Sequence, residues 1–193
     1  MKNLKNLKIL GLAATISAAL MALAGSAAAT TVTTTTGGAA STPTIHLVNE
    51  GAHVVFANSI ANIECNSTLE GSVASHGAGV TVKVSLTSLS FTNCTNSWHY
   101  TTVKPGALEF HWTSGHNGTV TWTGALITST RFGVTCNYET NNTQIGTITG
   151  GNPATIDIQA SIPIAAGSSF LCGSGNSKWE GSYATTSALY IAP

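Results

Sequence analysis

One carboxylate and two histidines lie close together in the sequence and could bind a metal ion. Glu109 and His111 are two residues apart, so they leave the same face of a β-strand, and His116 follows in an adjoining loop. Imidazole and carboxylate groups are ligands for zinc or copper. The chain has no H-x-H or H-E-x-x-H pattern, so the alternative of unpaired polar residues on one face of a sheet is favoured. We expect no bound cofactor.

No set of catalytic residues is predicted. The chain contains no G-x-S-x-G motif, and its only aspartate, Asp157, alternates with isoleucines as a solvent-side strand residue. Glycoside hydrolysis needs two carboxyl groups across a cleft, and the glutamates qualify by residue type alone. The sequence therefore predicts a protein that is not an enzyme. A small metal-dependent enzyme around Glu109, His111 and His116 stays as an alternative.

Three aromatic residues in a row, Trp98, His99 and Tyr100, follow Cys94 in a polar stretch. Such rings can stack on sugars or contact an apolar interface. We predict that Trp98 and Tyr100 make exposed contacts and that these three residues form a binding surface. Trp112 and Trp122 are instead expected on the apolar face of a hairpin.

The first 29 residues have the composition of a signal peptide. A basic stretch with Lys2, Lys5 and Lys8 precedes an apolar run, and small residues follow at 25–29. Cleavage would place the mature N-terminus near Thr30 and leave four basic against seven acidic side chains, a formal charge of about −3. This composition argues against a nucleic-acid partner. We expect a secreted or cell-surface protein, or a periplasmic one in a cell with an outer membrane, with no transmembrane segment after cleavage.

The four cysteines are an even number in a chain that is predicted to be exported, which indicates two disulfides. Four cysteines allow three pairings. The pairs Cys65–Cys94 and Cys136–Cys172 are favoured because the sequence falls into two halves around them.

The predicted elements that position these residues are β-strands. Residues 30–43 are rich in threonine and form a flexible linker, or an extended arm that could pair with a neighbour. Residues 44–193 show a period of two and predict an antiparallel β-sandwich of Greek-key or jelly-roll type. Residues 80–86 alternate, and the change of phase after them indicates a β-bulge near Thr87 and Ser88. Residues 156–164 predict the clearest amphipathic strand.

Two further strand predictions are specific enough to test. Residues 107–123 predict a hairpin in which Trp112 pairs with Val120 and Phe110 with Trp122, around a five-residue loop at 114–118. Residues 126–136 alternate in a way that marks one continuous strand.

The segments around the cysteines resemble a pattern of secreted bacterial proteins. The stretches 63–68 and 89–95, and the ending from Phe170 to Ile191, are similar to β-rich exoproteins that include relatives of the "protein activator of alkane oxidation" group. The resemblance implies an exported β-rich domain with two disulfides and offers no catalytic residues. It suggests a role at cell surfaces, in biofilm matrix or at hydrocarbon interfaces.

These observations together predict a non-catalytic surface protein. We expect it to act in adhesion, in assembly of an extracellular or biofilm matrix, or at interfaces. Its partners would be further copies of itself, another surface protein, an extracellular polysaccharide or an apolar interface. A carbohydrate-binding or glycan-processing module using Trp98 and Tyr100 is the alternative.

Overall fold

The computed structural model describes residues 30–57, 60–75, 81–173 and 175–193. The predicted signal peptide lies outside these residues. The described chain is all-β, as predicted, with two short 3₁₀ turns, η1 (Thr95–Ser97) and η2 (Phe170–Cys172), and no α-helix. Its strands are β1 (Thr31–Thr33), β2 (Thr44–Ala57), β3 (Asn62–Ser75), β4 (Val82–Thr92), β5 (His99–Lys104), β6 (Ala107–Ser114), β7 (Asn117–Thr123), β8 (Leu126–Arg131), β9 (Val134–Glu139), β10 (Thr143–Thr149), β11 (Thr155–Ile162), β12 (Ser177–Thr185) and β13 (Tyr190–Ala192).

The main sheet is a closed barrel, which corrects the prediction of a sandwich. Eight antiparallel strands follow one another around it in the order β10-β11-β12-β2-β3-β4-β6-β7, and β7 pairs back to β10. An eight-stranded barrel has an interior just wide enough for side chains to fill. Large buried residues such as Phe110, Trp122, Trp179 and Tyr183 form its core. Alternation in the sequence shows which face of a strand is buried, but a sandwich and a barrel both bury one face.

Two predicted strand features are confirmed. In β11 exposed and buried residues alternate along the strand from Ile156 to Ile162. Between β3 and β4, Glu70 pairs with Ser88 and Gly71 pairs with Leu86, so Thr87 is the extra residue of a β-bulge.

The hairpin of β6 and β7 forms, but the predicted register is wrong by two residues. Phe110 pairs with Val120 and Trp112 pairs with Gly118, and the turn consists of only two residues, Gly115 and His116. A shift of two residues leaves every side chain on its original face. The apolar pattern therefore could not distinguish this register from the predicted one.

The predicted single strand over 126–136 is two strands joined by a tight turn. The β8–β9 hairpin reverses at Phe132 and Gly133, both of which have positive φ (49° and 80°). A two-residue hairpin turn with positive φ at both positions matches the right-handed twist of the flanking strands. The apparent alternation across the turn was coincidental.

Two smaller sheets accompany the barrel. The sheet β5-β8-β9 packs against it, and the two leave a cavity of only about 10 Å³ between residues such as Phe56 and Tyr138. The other sheet joins β1 to β13. The start of the threonine-rich segment therefore pairs within its own chain, and Val32 is fully buried.

The two disulfides join Cys65 to Cys94 and Cys136 to Cys172, which is the pairing favoured from the sequence. Disulfides form and persist in oxidising compartments. The two bonds therefore fit an extracellular or otherwise non-cytoplasmic location.

Within the described residues, no helix is long and apolar enough to cross a membrane.

Candidate functional site

Two of the three predicted binding residues are not exposed. Trp98 is 3% exposed, and Tyr100 is partly buried with its ring stacked on Phe56 at 4.8 Å between ring centres. Phe91 packs against both Phe56 and Tyr100. His99 alone of the three predicted residues is exposed. Trp98 belongs to the core and Tyr100 packs against it, because β5 and the residue before it lie against the barrel.

The segment that carries these residues nevertheless borders an open cleft. Residues from Phe91 to Cys94 and from Ser97 to Tyr100 line a cleft of about 360 Å³. Glu64 lies near this cleft, because its backbone N–H donates a hydrogen bond to the Thr95 hydroxyl at 3.0 Å. The side chain of Glu64 is exposed. The structure thus brings the predicted residues Trp98, His99 and Tyr100 together, with His99 as the exposed side chain among them.

Residues with positive φ are concentrated around this cleft. Of the five non-glycine residues with positive φ among those described, Asn93, Asn96 and Ser97 lie in or beside the cleft, and a fourth is Phe132. A left-handed conformation is tolerated by asparagine, but it is uncommon and costly for a bulky residue such as phenylalanine. Strained residues persist only where the surrounding structure holds them, and they are frequent at functional sites.

Three large apolar side chains are exposed on the two segments that flank β9, and we call them the apolar tip. Phe132 is 85% exposed, Phe170 is 89% exposed and Leu171 is 50% exposed. Phe132 lies in the β8–β9 turn, and Phe170 and Leu171 form most of η2. Only two other large hydrophobic residues are exposed in the described part of the chain, Ile60 and Val103.

A cation connects the apolar tip to the cleft. The guanidinium of Arg131 lies 4.8 Å from the ring centre of Phe132 and 5.9 Å from that of Trp98. Both distances fall within the range of cation–π interactions. Arg131 is therefore close both to the exposed Phe132 ring and to the buried Trp98, which lines the cleft.

Both segments of the apolar tip are attached to β9, by the chain itself, by a disulfide or by hydrogen bonds. Cys172, the last residue of η2, is bonded to Cys136 of β9. The Ser169 N–H donates to the Thr135 carbonyl at 2.8 Å. Thr135 belongs to the second cross-strand pair counted from the β8–β9 turn that contains Phe132. Phe132 and η2 are therefore at the same end of the β8–β9 hairpin, in a fixed arrangement.

The three predicted metal ligands do not form a metal site. Within the part of the chain that the structure describes, no three His, Cys, Asp or Glu side chains are grouped closely enough to hold a metal ion. His116 instead interacts through Nδ1 with the Ile191 carbonyl at 3.1 Å and packs edge-on to Tyr190. Glu109 pairs with Thr121 and His111 with Thr119, in the ladder of β6 and β7.

A second concavity lies on the outer surface of the barrel. It has a volume of about 440 Å³ and crosses β10, β11 and β12, with Gly146 and Gly181 on its floor. Asp157 accepts a hydrogen bond from the Ser182 hydroxyl there, and Glu180 is exposed beside it. This groove presents two carboxylates and the amide of Gln159 but no aromatic side chain.

The exposed residues of the apolar tip were not identified from the sequence. The alternation of residues 126–136 predicts Phe132 within a strand, and Phe170 enters only as part of a segment next to a cysteine. An Arg-Phe-Gly sequence between two polar stretches is a turn signal that could have revealed Phe132. The exposure of Phe170 follows only from the position of η2.

Comparison of this chain with protein-family models, with curated proteins and with solved structures gives no match in any of the three.

Proposed function

We propose that this protein is a secreted or cell-surface module without catalytic activity, which adheres to apolar surfaces or interfaces through its apolar tip. The observation that carries this proposal is the exposure of Phe132, Phe170 and Leu171 on disulfide-anchored segments at one end of a hairpin. Exposed apolar side chains that are grouped and held in place are typical of interaction sites.

The energetics favour this use of the tip. Transferring a Phe or Leu side chain from water to an apolar medium is favourable by about 1.5–3 kcal/mol. Because the disulfide and the Ser169–Thr135 hydrogen bond already fix the segments, contact with a surface costs little conformational entropy.

One structural observation and one expectation from the sequence further support the proposal. The disulfides fit an oxidising location outside the cytoplasm. The resemblance to secreted bacterial exoproteins, with its suggested role at cell surfaces, in biofilm matrix or at hydrocarbon interfaces, agrees with an adhesive tip.

Adsorption of tip variants to an apolar phase tests the proposal. The variants are Phe132→Asn and Phe170→Ser, singly and together, and the matched control is Val103→Asn. Val103 is 53% exposed in the same sheet, near the opposite end of β5 from His99. Asparagine tolerates positive φ, so Phe132→Asn should fold at least as well as the unmodified protein.

We expect the double variant to bind hexadecane droplets or octyl-agarose at least tenfold more weakly, because it loses two inserted rings. The control should bind within about twofold of the unmodified protein. Equal binding by the double variant and the control would exclude the tip as the adhesive surface.

Glycan recognition is a second candidate because of the open cleft. Its exposed His99 and the polar residues Asn93 and Ser97 could hydrogen-bond a saccharide, whereas the buried rings of Trp98 and Tyr100 cannot stack on one. Polysaccharide binding that survives in the double tip variant and is lost in His99→Ala would favour this function over adhesion.

A further inference from the structure

The N-terminal strand of the described chain is held in a site made by residues that are far away in the sequence. Thr31–Thr33 pairs in antiparallel register with Tyr190–Ala192, so that Thr31 is opposite Ala192. Val32 is fully buried. The Thr30 hydroxyl accepts a hydrogen bond from the Trp112 N–H at 3.0 Å. A strand of only three residues therefore fills a socket formed by β13 and the end of β6.

The segment that connects this strand to the barrel is long and weakly held. Residues 34–43 join β1 to β2, and most of them are exposed. The described backbone hydrogen bonds of this linker are few: the Gly38 N–H donates to the Thr35 carbonyl, the Ser41 N–H to the Val32 carbonyl, and the Val73 N–H to the carbonyl of Pro43 at the end of the linker. Ten residues of extended chain can span roughly 33 Å. The linker is therefore long enough to carry β1 away from its own barrel.

We propose that the socket of β13 also binds β1 of a second copy, so that copies of this protein are linked by exchange of their N-terminal strands. The second copy presents the same sequence, so the pairing with β13, the buried Val32 and the Thr30–Trp112 hydrogen bond can all form between molecules. Exchange keeps these contacts, and its cost falls as the protein concentration rises.

The charges of the exchanged segment also permit this arrangement. Residues 30–43 contain no charged side chain, so the linker of one copy meets no repulsion from its neighbour. Each copy has one β1 strand that can be donated and one socket that can accept such a strand. Reciprocal exchange gives a closed dimer, and head-to-tail exchange gives a ring or an open chain. This inference is independent of the apolar tip.

Disulfide trapping between two different variants tests the exchange. One variant of the exported, processed protein carries Thr31→Cys and the other carries Ala192→Cys, which are partner positions in the register. The control replaces the first variant by Thr36→Cys, an exposed linker position. We expect the mixed 31–192 cross-link to exceed the 36–192 cross-link at least fivefold and to increase with concentration.

A single chain that carries both Thr31→Cys and Ala192→Cys serves as the reference for the unexchanged form. If it closes its own 31–192 bond while the mixed variants cross-link no more than the control, the socket accepts only its own strand and the proposal fails.

Light scattering provides a measurement that needs no added cysteine. We expect species larger than a monomer at high concentration, with at least a fivefold smaller fraction in Val32→Asn and an unchanged fraction in Thr36→Asn. Deletion of residues 37–40 should increase the fraction, because a shortened hinge disfavours folding back. Strictly monomeric protein at all concentrations, with and without this deletion, would overturn the proposal. Adsorption to an apolar phase is measured separately, so failure of strand exchange and failure of adhesion are distinguishable.

Discussion

At the scale of single residues, burial separates the aromatic side chains into two roles. Trp98 lies in the packed interior, and Tyr100 is partly buried with its ring stacked on Phe56. Phe132 and Phe170 are almost fully exposed, although phenylalanine is usually buried. Phe132 also has φ of 49°, which disfavours phenylalanine in particular. An exposed ring in a strained conformation contributes little to folding, so its role is better sought in binding.

Buried tyrosines predict a loss of stability at alkaline pH. Burial, with a smaller contribution from Tyr138, raises the pKa of the Tyr100 hydroxyl above its usual value of 10.0. Burial likewise raises the pKa of Tyr183. Above pH 10 the unfolded chain therefore releases protons that the folded protein retains. The free energy of unfolding should fall by about 1.4 kcal/mol per pH unit for each of these tyrosines.

Urea unfolding at pH 9 and pH 11 measures this effect, and Tyr100→Phe provides the comparison. The Tyr100 hydroxyl is buried without a hydrogen-bond partner among the described residues. The variant should therefore be at least as stable at pH 9 and should lose about 1.4 kcal/mol less than the unmodified protein by pH 11. An equal loss in the two proteins would show that Tyr100 ionises in the folded state.

At the scale of strands, close approach of the backbone explains two glycines. A Cβ atom at Gly146 would lie 1.9 Å from the carbonyl oxygen of Asp157 in β11. A Cβ atom at Gly181 would lie 2.7 Å from Val54 of β2. Each glycine lies next to a change of register, between Gln144 and Gly146 in β10 and between Glu180 and Ser182 in β12. The strands curve around the barrel at these irregularities, where a side chain has no room.

The substitution Gly146→Ala should accordingly destabilise the barrel. The atoms that the new methyl group would meet belong to the backbone of β11 and cannot move unless the β10–β11 pairing opens. We expect a loss near the upper end of about 1–3 kcal/mol in the free energy of unfolding. The control is Thr147→Ala at the next, exposed position, which should change stability by less than about 0.5 kcal/mol. Equal stability of the two variants would mean that β10 can shift.

At the scale of the whole molecule, two disulfides support the end of the protein that carries the candidate site. Cys94 lines the cleft, and Cys172 anchors the segment of Phe170 and Leu171. No cysteine in the described chain is free. The closed barrel supplies the rigid body to which both segments are attached.

Removal of the second disulfide should affect stability and adhesion together. For a sequence separation of 36 residues, replacement of Cys136 and Cys172 by alanine should cost about 3–4 kcal/mol of unfolding free energy. Adsorption to octyl-agarose should also weaken, because Phe170 and Leu171 lose their anchor. Urea unfolding and adsorption of the folded variant measure the two effects. Adsorption that stays unchanged in this variant would show that a fixed tip is unnecessary.

Local features of this protein follow from its sequence alone. The period of two in β4, β6, β7 and β11 predicted the buried faces, and the change of phase predicted the bulge at Thr87. The cysteine order favoured the observed pairing. These features depend on neighbours along the chain, whose side chains alternate between the two sides of a strand.

Closure of the barrel, the hairpin register and the exposure of the aromatic residues depend on contacts between distant parts of the chain. Closure requires β7 to meet β10, and the burial of Trp98 requires β5 to lie against the barrel. The exposure of Phe132 and Phe170 depends on a turn and on a disulfide across 36 residues. Alternation repeats every two residues, so it cannot report a shift of two or a contact between distant segments.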